Sequence, residues 1–203
     1  MDWDARYSAG DTPWEKGAPA PPLLEWLAQC AAADLPAGHI LVPGCGLGHD
    51  VRALVAIQPA ARVVGLDLSA EALRQARAFP KTGNEAYLLG DFLALPEPLH
   101  GRYDWVFEHT CFCAIDPARW ADYATAACAA LRPGGRLLAI FYLNPWDANE
   151  PLPPGGGPPF GVSVDELDAL FARDFQLIEA HRPTRAYPGR EGRELLRVLQ
   201  KKS

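Results

Sequence analysis

Three glycines, Gly44, Gly46 and Gly48, alternate along a short stretch whose backbone could hold a ligand. They directly follow the apolar run 40–42, and residues 51–57 continue with helical spacing. Glycine lets the backbone turn tightly and approach a ligand, and the first turn of the next helix offers free amide N–H groups. The pattern predicts a strand, a ligand-binding loop and a helix, although some glycine-rich turns bind nothing.

Acidic residues follow the next two predicted strands. The run 62–66 leads to Asp67, about twenty residues past the glycine loop, where a carboxylate can accept hydrogen bonds from both hydroxyls of an adenosine ribose. The run 86–89 leads to Asp91 and Phe92, which suit the exocyclic amine and the ring face of an adenine. The structural alternatives are a helix cap for Asp67 and a turn with a core aromatic for the other pair. Both dinucleotides and S-adenosylmethionine (AdoMet) fit these residues.

The fourth predicted strand, residues 102–107, runs into Glu108, His109 and Thr110. Ligands of open parallel sheets lie beyond the carboxyl ends of the strands. An imidazole has an unperturbed pKa near 6.5, so His109 could take a proton from a bound molecule or stabilise an anion. The alternative is a histidine that only hydrogen-bonds a cofactor.

Two segments without regular periodicity are expected to cover the ligand. Residues 1–18 carry Trp3, Tyr7 and Trp14 in an otherwise polar stretch, and we predict an aromatic lid. The alternative is that these rings only anchor the segment to the core. Residues 143–161 are rich in proline and glycine and are long enough for a functional loop, which we place over the site of the second substrate.

Between these segments, predicted strands alternate with predicted helices, which indicates an α/β fold with a parallel sheet and helices on both faces. Two final strands, residues 175–180 and 194–199, are predicted to form an antiparallel hairpin at the sheet edge. A chain of 203 residues suits one domain spanning residues 1–203.

Composition excludes several functional classes. Hydrophobic residues make up 49% and charged residues 22% of the chain, as in ordinary globular proteins, and no apolar run is long enough for a bilayer. A net charge of -6 disfavours nucleic acid as a partner. The five scattered cysteines and an N-terminus without a signal-peptide pattern predict a cytoplasmic protein, and the spacing of Cys111 and Cys113 is not that of metal ligands.

Several motifs together resemble those of one enzyme family. They are Trp3…Tyr7…Gly10…Pro13-Trp14, Val42-Pro43-Gly44-Cys45-Gly46-Leu47-Gly48-His49-Asp50, Val64-Gly65-Leu66-Asp67, Gly90-Asp91-Phe92, Cys113-Ala114-Ile115, Leu131-Arg132-Pro133-Gly134-Gly135 and Gly156-Gly157-Pro158-Pro159-Phe160. Over nearly the whole chain this set is similar to the thiopurine S-methyltransferase family, and most of all to its thiol and halide methyltransferase branch. The resemblance implies a class I AdoMet-dependent methyltransferase with a Rossmann-like fold and a seven-stranded, mostly parallel sheet.

The resemblance also implies how the cofactor is held. The N-terminal aromatic residues would cap it, the glycine loop would contact its amino-acid end, and the strand-end residues would hold ribose and adenine. The cofactor-binding residues predicted in this way are Trp3, Tyr7, Trp14, Gly44, Cys45, Gly46, Asp67, Leu68, Asp91, Phe92, Glu108 and His109. Aromatic caps suit AdoMet because an aromatic face attracts a cation, here a sulfonium, by about 0.5–2 kcal/mol.

By the same resemblance, the reaction is an in-line displacement that transfers a methyl group to a small soft nucleophile: a thiol, hydrosulfide, halide or chalcogen anion. Such acceptors need little help from a base, because a thiol with a pKa near 8.5 is partly ionised at neutral pH. His109 is the predicted catalytic residue. Relatives that methylate thiopurines carry arginine at this position, and plant thiol and halide relatives carry tyrosine.

Five aromatic residues in loops at or over the carboxyl edge of the sheet are predicted to form the acceptor pocket. They are Trp14, Phe112, Trp146, Phe160 and Tyr187, with core packing as the alternative for Phe112. The expected protein is a monomer without a metal. Alternatives are an aromatic, thiopurine-type S-methyltransferase, a protein that binds AdoMet without turnover, and a dinucleotide oxidoreductase, which the missing third glycine of G-x-G-x-x-G disfavours.

Overall fold

The computed structural model describes residues 1–147 and 151–203 of the chain. Its centre is a seven-stranded sheet with the strand order β3-β2-β1-β4-β5-β7-β6. The strands are β1 His39–Pro43, β2 Arg62–Asp67, β3 Glu85–Leu89, β4 Tyr103–His109, β5 Leu131–Tyr142, β6 Phe175–His181 and β7 Glu194–Lys201. Strands β1 to β5 pair in parallel, and β7 is antiparallel to both β5 and β6. The predicted seven-stranded α/β sheet is confirmed.

Within the described residues, six α-helices surround this sheet. They are α1 Trp3–Ala9, α2 Pro21–Gln29, α3 His49–Ile57, α4 Ala70–Ala78, α5 Trp120–Ala130 and α6 Val164–Phe171. Helices α2 and α3 belong to the core on one face of the sheet, and α5 and α6 belong to the core on the other. None of the helices in these ranges has the length and apolar character needed to cross a membrane.

Successive buried side chains along the central strands enter the two cores alternately. Ile40 and Val42 of β1 pack with Trp105 of β4 in one core, whereas Leu41 and Val106 pack in the other. This is the period of two expected for a strand covered on both faces. The connections reverse direction between the neighbouring strands β1 and β4, so the crevice at their carboxyl ends is the expected ligand site.

Helix α1 is an element that the lack of amphipathic period in residues 1–18 did not predict. Its start is capped by Asp2, whose carboxylate accepts a hydrogen bond from the amide of Ala5 at 3.0 Å. Its end is capped by Gly10, which adopts a left-handed conformation with φ 71°. Local capping therefore defines this short helix, which has only one buried residue, Tyr7.

One boundary differs from the sequence pattern. Pro133-Gly134-Gly135 predicts a helix end followed by a strand at residues 136–141, but helix α5 ends at Ala130, and these three residues lie inside β5 as a bulge between the pairs Tyr103–Leu131 and Trp105–Arg136. Strands β6 and β7 form the predicted antiparallel hairpin at the sheet edge, with β7 next to β5 and β6 outermost. Residues 148–150 of the predicted acceptor loop lie outside the described residues.

Candidate functional site

A cavity of about 660 Å³ opens over the carboxyl ends of the central strands. Its wall includes residues that follow β1, β2, β3 and β4, namely Gly44, Leu68, Gly90 and Thr110. A volume of this size is typical of sites for cofactors and other small molecules. A smaller cavity of about 60 Å³ adjoins it. Residues that line both are Tyr7, Trp14, Lys16, Gly44 and Thr110.

The glycine loop leaves no room for side chains. Gly44 and Gly46 have φ values of 57° and 50°, which side-chain-bearing residues rarely adopt. A Cβ atom on Gly44 would lie 2.8 Å from Cβ of Cys111, and one on Gly46 would lie 2.7 Å from the hydroxyl oxygen of Tyr7. The loop is therefore a cradle whose backbone faces the cavities, and the neighbouring Cys45 lines the smaller one.

Asp67 joins the glycine loop to the start of α4. One carboxylate oxygen accepts a hydrogen bond from the amide of Gly46 at 2.8 Å, and the other accepts one from the amide of Ser69 at 2.9 Å. Burial raises the pKa of Asp67, against the lowering effect of these bonds. The helix cap itself is Ser69, whose hydroxyl accepts from the amide of Ala72. Asp67 and Leu68 both line the larger cavity, and their contact with a cofactor stays a prediction.

Asp91 and Phe92 line the same cavity and also have structural roles. The carboxylate of Asp91 accepts a hydrogen bond from the amide of Leu93 at 2.8 Å and caps a short 3₁₀ turn. The ring of Phe92 lies 5.1 Å from that of Tyr123 in the core. Asp91 thus caps a turn and Phe92 packs in the core, as the structural alternatives predicted. Both residues still line the larger cavity.

The N-terminal aromatic residues form a connected cluster over the cavity. The ring of Trp14 lies 5.3 Å from that of Trp3 and 5.7 Å from that of Tyr7, both edge to face. The indole nitrogen of Trp14 donates to the hydroxyl oxygen of Tyr7 at 3.0 Å. Burial raises the pKa of Tyr7, so this hydroxyl keeps its proton at neutral pH.

Asp4 fastens α1 to the start of α4. Its carboxylate accepts hydrogen bonds from the hydroxyl of Ser69 and from the amide of Glu71, both at 2.8 Å. Ser69 is also the residue whose amide binds Asp67. The aromatic cluster is therefore anchored two residues from the carboxylate predicted to hold the ribose.

Glu108 lies beneath the cavity floor. It is only 1% exposed, and its carboxylate accepts hydrogen bonds from the amide of Phe112 at 2.8 Å and the hydroxyl of Tyr123 at 2.5 Å. Burial raises its pKa to about 7. Glu108 lines neither cavity, so the structure does not bring this predicted cofactor contact to the ligand, and it supports the turn that follows β4.

His109 lines the smaller cavity and not the larger one. Its Nδ1 lies 3.2 Å from a carboxylate oxygen of Asp50, and its Nε2 lies 3.9 Å from Oε1 of Glu194. The ring of Tyr187 is 5.9 Å away. The base role of His109 stays a prediction, and this position between two carboxylates favours a structural function instead.

The structure brings two of the five predicted acceptor residues into the larger cavity, Trp14 and Trp146. Phe112 is 1% exposed and stacks on Trp120 at 4.9 Å in the core, because the short turn after β4 directs its ring inward. Phe160 packs against the same core. Tyr187 lines the smaller cavity, where its hydroxyl donates to the carbonyl oxygen of Ala18 at 2.5 Å.

The larger cavity also contains residues that the sequence did not assign. Arg190 and Tyr142 both line it, with the guanidinium carbon 4.8 Å from the ring centre. Thr110 is, among the described residues, the single non-glycine with positive φ, at 63°. A β-branched residue in this conformation is strained, and such strain concentrates at functional sites. Sequence periodicity could not predict these two site residues, because Arg190 is an isolated arginine in a loop and Thr110 is a threonine in a left-handed turn.

The sequence profile described as "Thiopurine S-methyltransferase" matches residues 1–198, nearly the whole chain. The chain belongs to the thiopurine S-methyltransferase family. Its enzymatic class, an AdoMet-dependent S-methyltransferase, follows from this membership and confirms the sequence-based prediction.

Relatives of the thiopurine S-methyltransferase family cover most of the chain. The "Probable thiol methyltransferase 2" of Arabidopsis thaliana is 35% identical over 99% of this chain and 85% of its own length. The "Thiocyanate methyltransferase 1" of Brassica oleracea is 34% identical over 96% of this chain and 82% of its own. The "Thiopurine S-methyltransferase" of Vibrio campbellii is 30% identical over 65% of this chain and 63% of its own.

Solved structures place the fold among class I methyltransferases. A structure from work on the conversion of a disulfide bond into a thioacetal group during echinomycin biosynthesis has a TM-score of 0.78 and 25% identity, covering 98% of this chain and 91% of its own. The 1,6-didemethyltoxoflavin-N1-methyltransferase of Burkholderia thailandensis, solved with S-adenosylhomocysteine, has a TM-score of 0.74 and 19% identity, covering 100% and 86%. The predicted class I methyltransferase fold is confirmed.

Proposed function

We propose that this enzyme binds AdoMet in the larger cavity and methylates a small soft nucleophile, such as a thiol, hydrosulfide, halide or chalcogen anion. The observation that carries the proposal is the arrangement of a glycine cradle, a strand-end carboxylate and an aromatic cluster around one cavity of about 660 Å³. The names of the plant relatives, a thiol and a thiocyanate methyltransferase, support this class of acceptor.

The residues of the cavity fit the parts of AdoMet. Gly44 is exposed and lines both cavities, whereas Gly46 is buried and lines the smaller one, so the exposed backbone of Gly44 suits close contact with the amino-acid end. Asp67 is a buried carboxylate at the end of β2 and suits the ribose hydroxyls. Trp3 and Trp14 line this cavity, and the aromatic rings suit a cationic ligand; the guanidinium of Arg6 already lies over the ring of Trp14, 4.3 Å from its centre.

When bound, AdoMet supplies a sulfonium-activated methyl group, which bonds to a lone pair of the acceptor while the old carbon–sulfur electron pair stays on S-adenosylhomocysteine. The chain's own residues position and desolvate the two reactants. Tyr142, Trp146, Pro158 and Pro159 give the acceptor end a mostly apolar wall, which excludes water from the approaching nucleophile.

A screen of methyl transfer by the purified protein tests the proposal. We expect product from AdoMet with hydrosulfide, a small thiol, thiocyanate or iodide, and little or none with a thiopurine. S-adenosylhomocysteine should bind with heat that Asp67→Asn abolishes or strongly reduces, whereas NADH should give none. Absence of product from every soft nucleophile, despite cofactor binding, would refute the acceptor class.

The thiopurine-type reaction is the second candidate, because the Vibrio campbellii relative carries that name. It predicts the reverse ranking in the same screen. His109→Ala, assayed beside the wild type, tests the predicted base: an unchanged rate with thiols assigns His109 to support and not to proton transfer.

A further inference from the structure

Arg190 stands apart among the charged residues of the larger cavity. The charged residues that line it are Arg6, Lys16, Asp67, Asp91, Asp116, Arg119 and Arg190. Of these, only Asp67 and Arg190 are buried, at 8% and 9% exposed. Asp67 already binds two backbone amides, and its location suits the ribose. Arg190 is thus the buried cation of this wall, at the end formed by the proline-rich and C-terminal loops.

A buried network holds the guanidinium from one side. Nη1 of Arg190 donates to Oε1 of Glu194 at 3.3 Å, and Glu194 is 1% exposed and lines neither cavity. The same carboxylate oxygen lies 3.9 Å from Nε2 of His109, whose Nδ1 is 3.2 Å from Asp50. Asp50 is fixed in turn by the amide of Ala20 at 2.7 Å. Arginine thus pairs with glutamate and histidine pairs with aspartate, and the two pairs lie close together without a hydrogen bond between them.

Two tyrosine rings also pack against the guanidinium of Arg190. The guanidinium carbon lies 4.8 Å from the ring centre of Tyr142 and 5.6 Å from that of Tyr187. A planar guanidinium placed on aromatic faces keeps its orientation. Within the described part of the chain, the bond to Glu194 is the one side-chain hydrogen bond that Arg190 makes, although a guanidinium has five N–H donors. The guanidinium of Arg190 therefore has N–H groups left to donate to a ligand in the cavity.

We infer that Arg190 binds the acceptor as an anion and so determines the acceptor class, and that Glu194, which lies next to His109, positions Arg190. This inference rests on the proposed function. It selects nucleophiles that enter the site as anions: thiocyanate, iodide, hydrosulfide and thiolates that have already lost their proton to the solvent. It also gives His109 a positioning role, since a nucleophile bound as an anion brings no proton to remove.

The main test measures anion binding without turnover. The protein is saturated with S-adenosylhomocysteine and titrated with thiocyanate in a calorimeter. The double variant Arg190→Met with Glu194→Gln removes the cation without leaving a buried carboxylate unpaired. We expect its thiocyanate affinity to fall about ten- to hundredfold, the range for a charged hydrogen bond. Its affinity for S-adenosylhomocysteine should change less than twofold.

A surface pair supplies the matched control. Arg173 and Asp174 form an exposed ion pair at 2.7 Å that lines neither cavity. Arg173→Met with Asp174→Asn should leave both affinities unchanged. Arg190→Lys is the second variant, in case the double variant does not fold. It keeps the charge but loses the planar fork, and we expect its KM for thiocyanate to rise severalfold.

The outcomes separate this inference from the proposed function. Unchanged thiocyanate binding in the Arg190 variants overturns the inference, as does wild-type protein that binds S-adenosylhomocysteine but no anion. A loss confined to S-adenosylhomocysteine affinity also overturns it, because Arg190 would then bind the carboxylate of the cofactor. Failure of the wild type to bind S-adenosylhomocysteine would instead count against the proposed function.

Discussion

Glu108 makes the stability of this protein depend on pH in an unusual direction. The carboxyl group is 1% exposed, and its burial raises the pKa from 4.5 to about 7. Hydrogen bonds from Tyr123 and Phe112 favour the ionised form but do not offset the loss of solvent. Below pH 7 the folded protein therefore holds a proton that the unfolded chain releases above pH 4.5.

The sign and size of the effect follow from proton linkage. Stability falls with rising pH wherever the folded state binds more protons than the unfolded one. The contribution of Glu108 is complete below pH 4.5, decreases as pH rises and is lost above about 7. At about 1.4 kcal/mol per pH unit, the loss amounts to about 3 kcal/mol over this window. Glu108→Gln cannot ionise, so its free energy of unfolding should lack this decrease.

Urea denaturation at a series of pH values between 4.5 and 8 measures the effect. The free energy of unfolding of Glu108→Gln, minus that of the wild type, should rise by about 3 kcal/mol across this range. Glu85→Gln is the control, because Glu85 is also buried but accepts amide bonds from Thr82 and Gly83 that lower its pKa. The free energy of unfolding that Glu85 contributes through its lowered pKa is present above pH 4.5 and is lost as the pH falls further. The reasoning would be refuted if the free energy of unfolding of Glu108→Gln, minus that of the wild type, stayed constant from pH 5 to 8.

Three further substitutions test the site and its supports. Gly46→Ala forces a Cβ atom to within 2.7 Å of the hydroxyl oxygen of Tyr7, so we expect calorimetry to show at least a roughly tenfold loss of S-adenosylhomocysteine affinity. Asp4→Ala removes the two bonds that fasten α1 to α4, and limited proteolysis of residues 1–18 should become severalfold faster. Phe112→Ala should lower the free energy of unfolding by about 3–5 kcal/mol, with the acceptor KM unchanged, because the ring is a core residue.

Each of these expectations has a clear contrary result. Full cofactor affinity in Gly46→Ala would show that the loop adapts and is not a rigid cradle. Unchanged proteolysis in Asp4→Ala would show that the aromatic contacts alone hold the lid. A raised acceptor KM in Phe112→Ala, with little loss of stability, would return Phe112 to the acceptor pocket.

The sequence by itself determined the fold and the side of the fold that carries the site. Short apolar runs, separated by segments with helical spacing, specify alternating strands and helices, and parallel strands place their carboxyl ends at one edge. Gly44, Gly46 and Asp67 were predictable because their chemistry depends on local conformation and on position at a strand end. The aromatic residues of the lid were assigned through family resemblance, and the structure places them at the cavity.

The tertiary structure alone decided which side chains share the acceptor end. His109 is the last residue of β4, at the sheet edge where it was predicted, yet its ring turns toward Asp50 and Glu194, which come from α3 and β7. Phe112 lies three residues past the end of β4, but a short turn directs it into the core. Arg190 reaches the cavity from a loop more than a hundred residues from the glycine cradle along the chain. These contacts depend on how elements that are distant in sequence pack against each other. The local pattern of residues does not determine that packing, so it could not predict which side chains share the acceptor end.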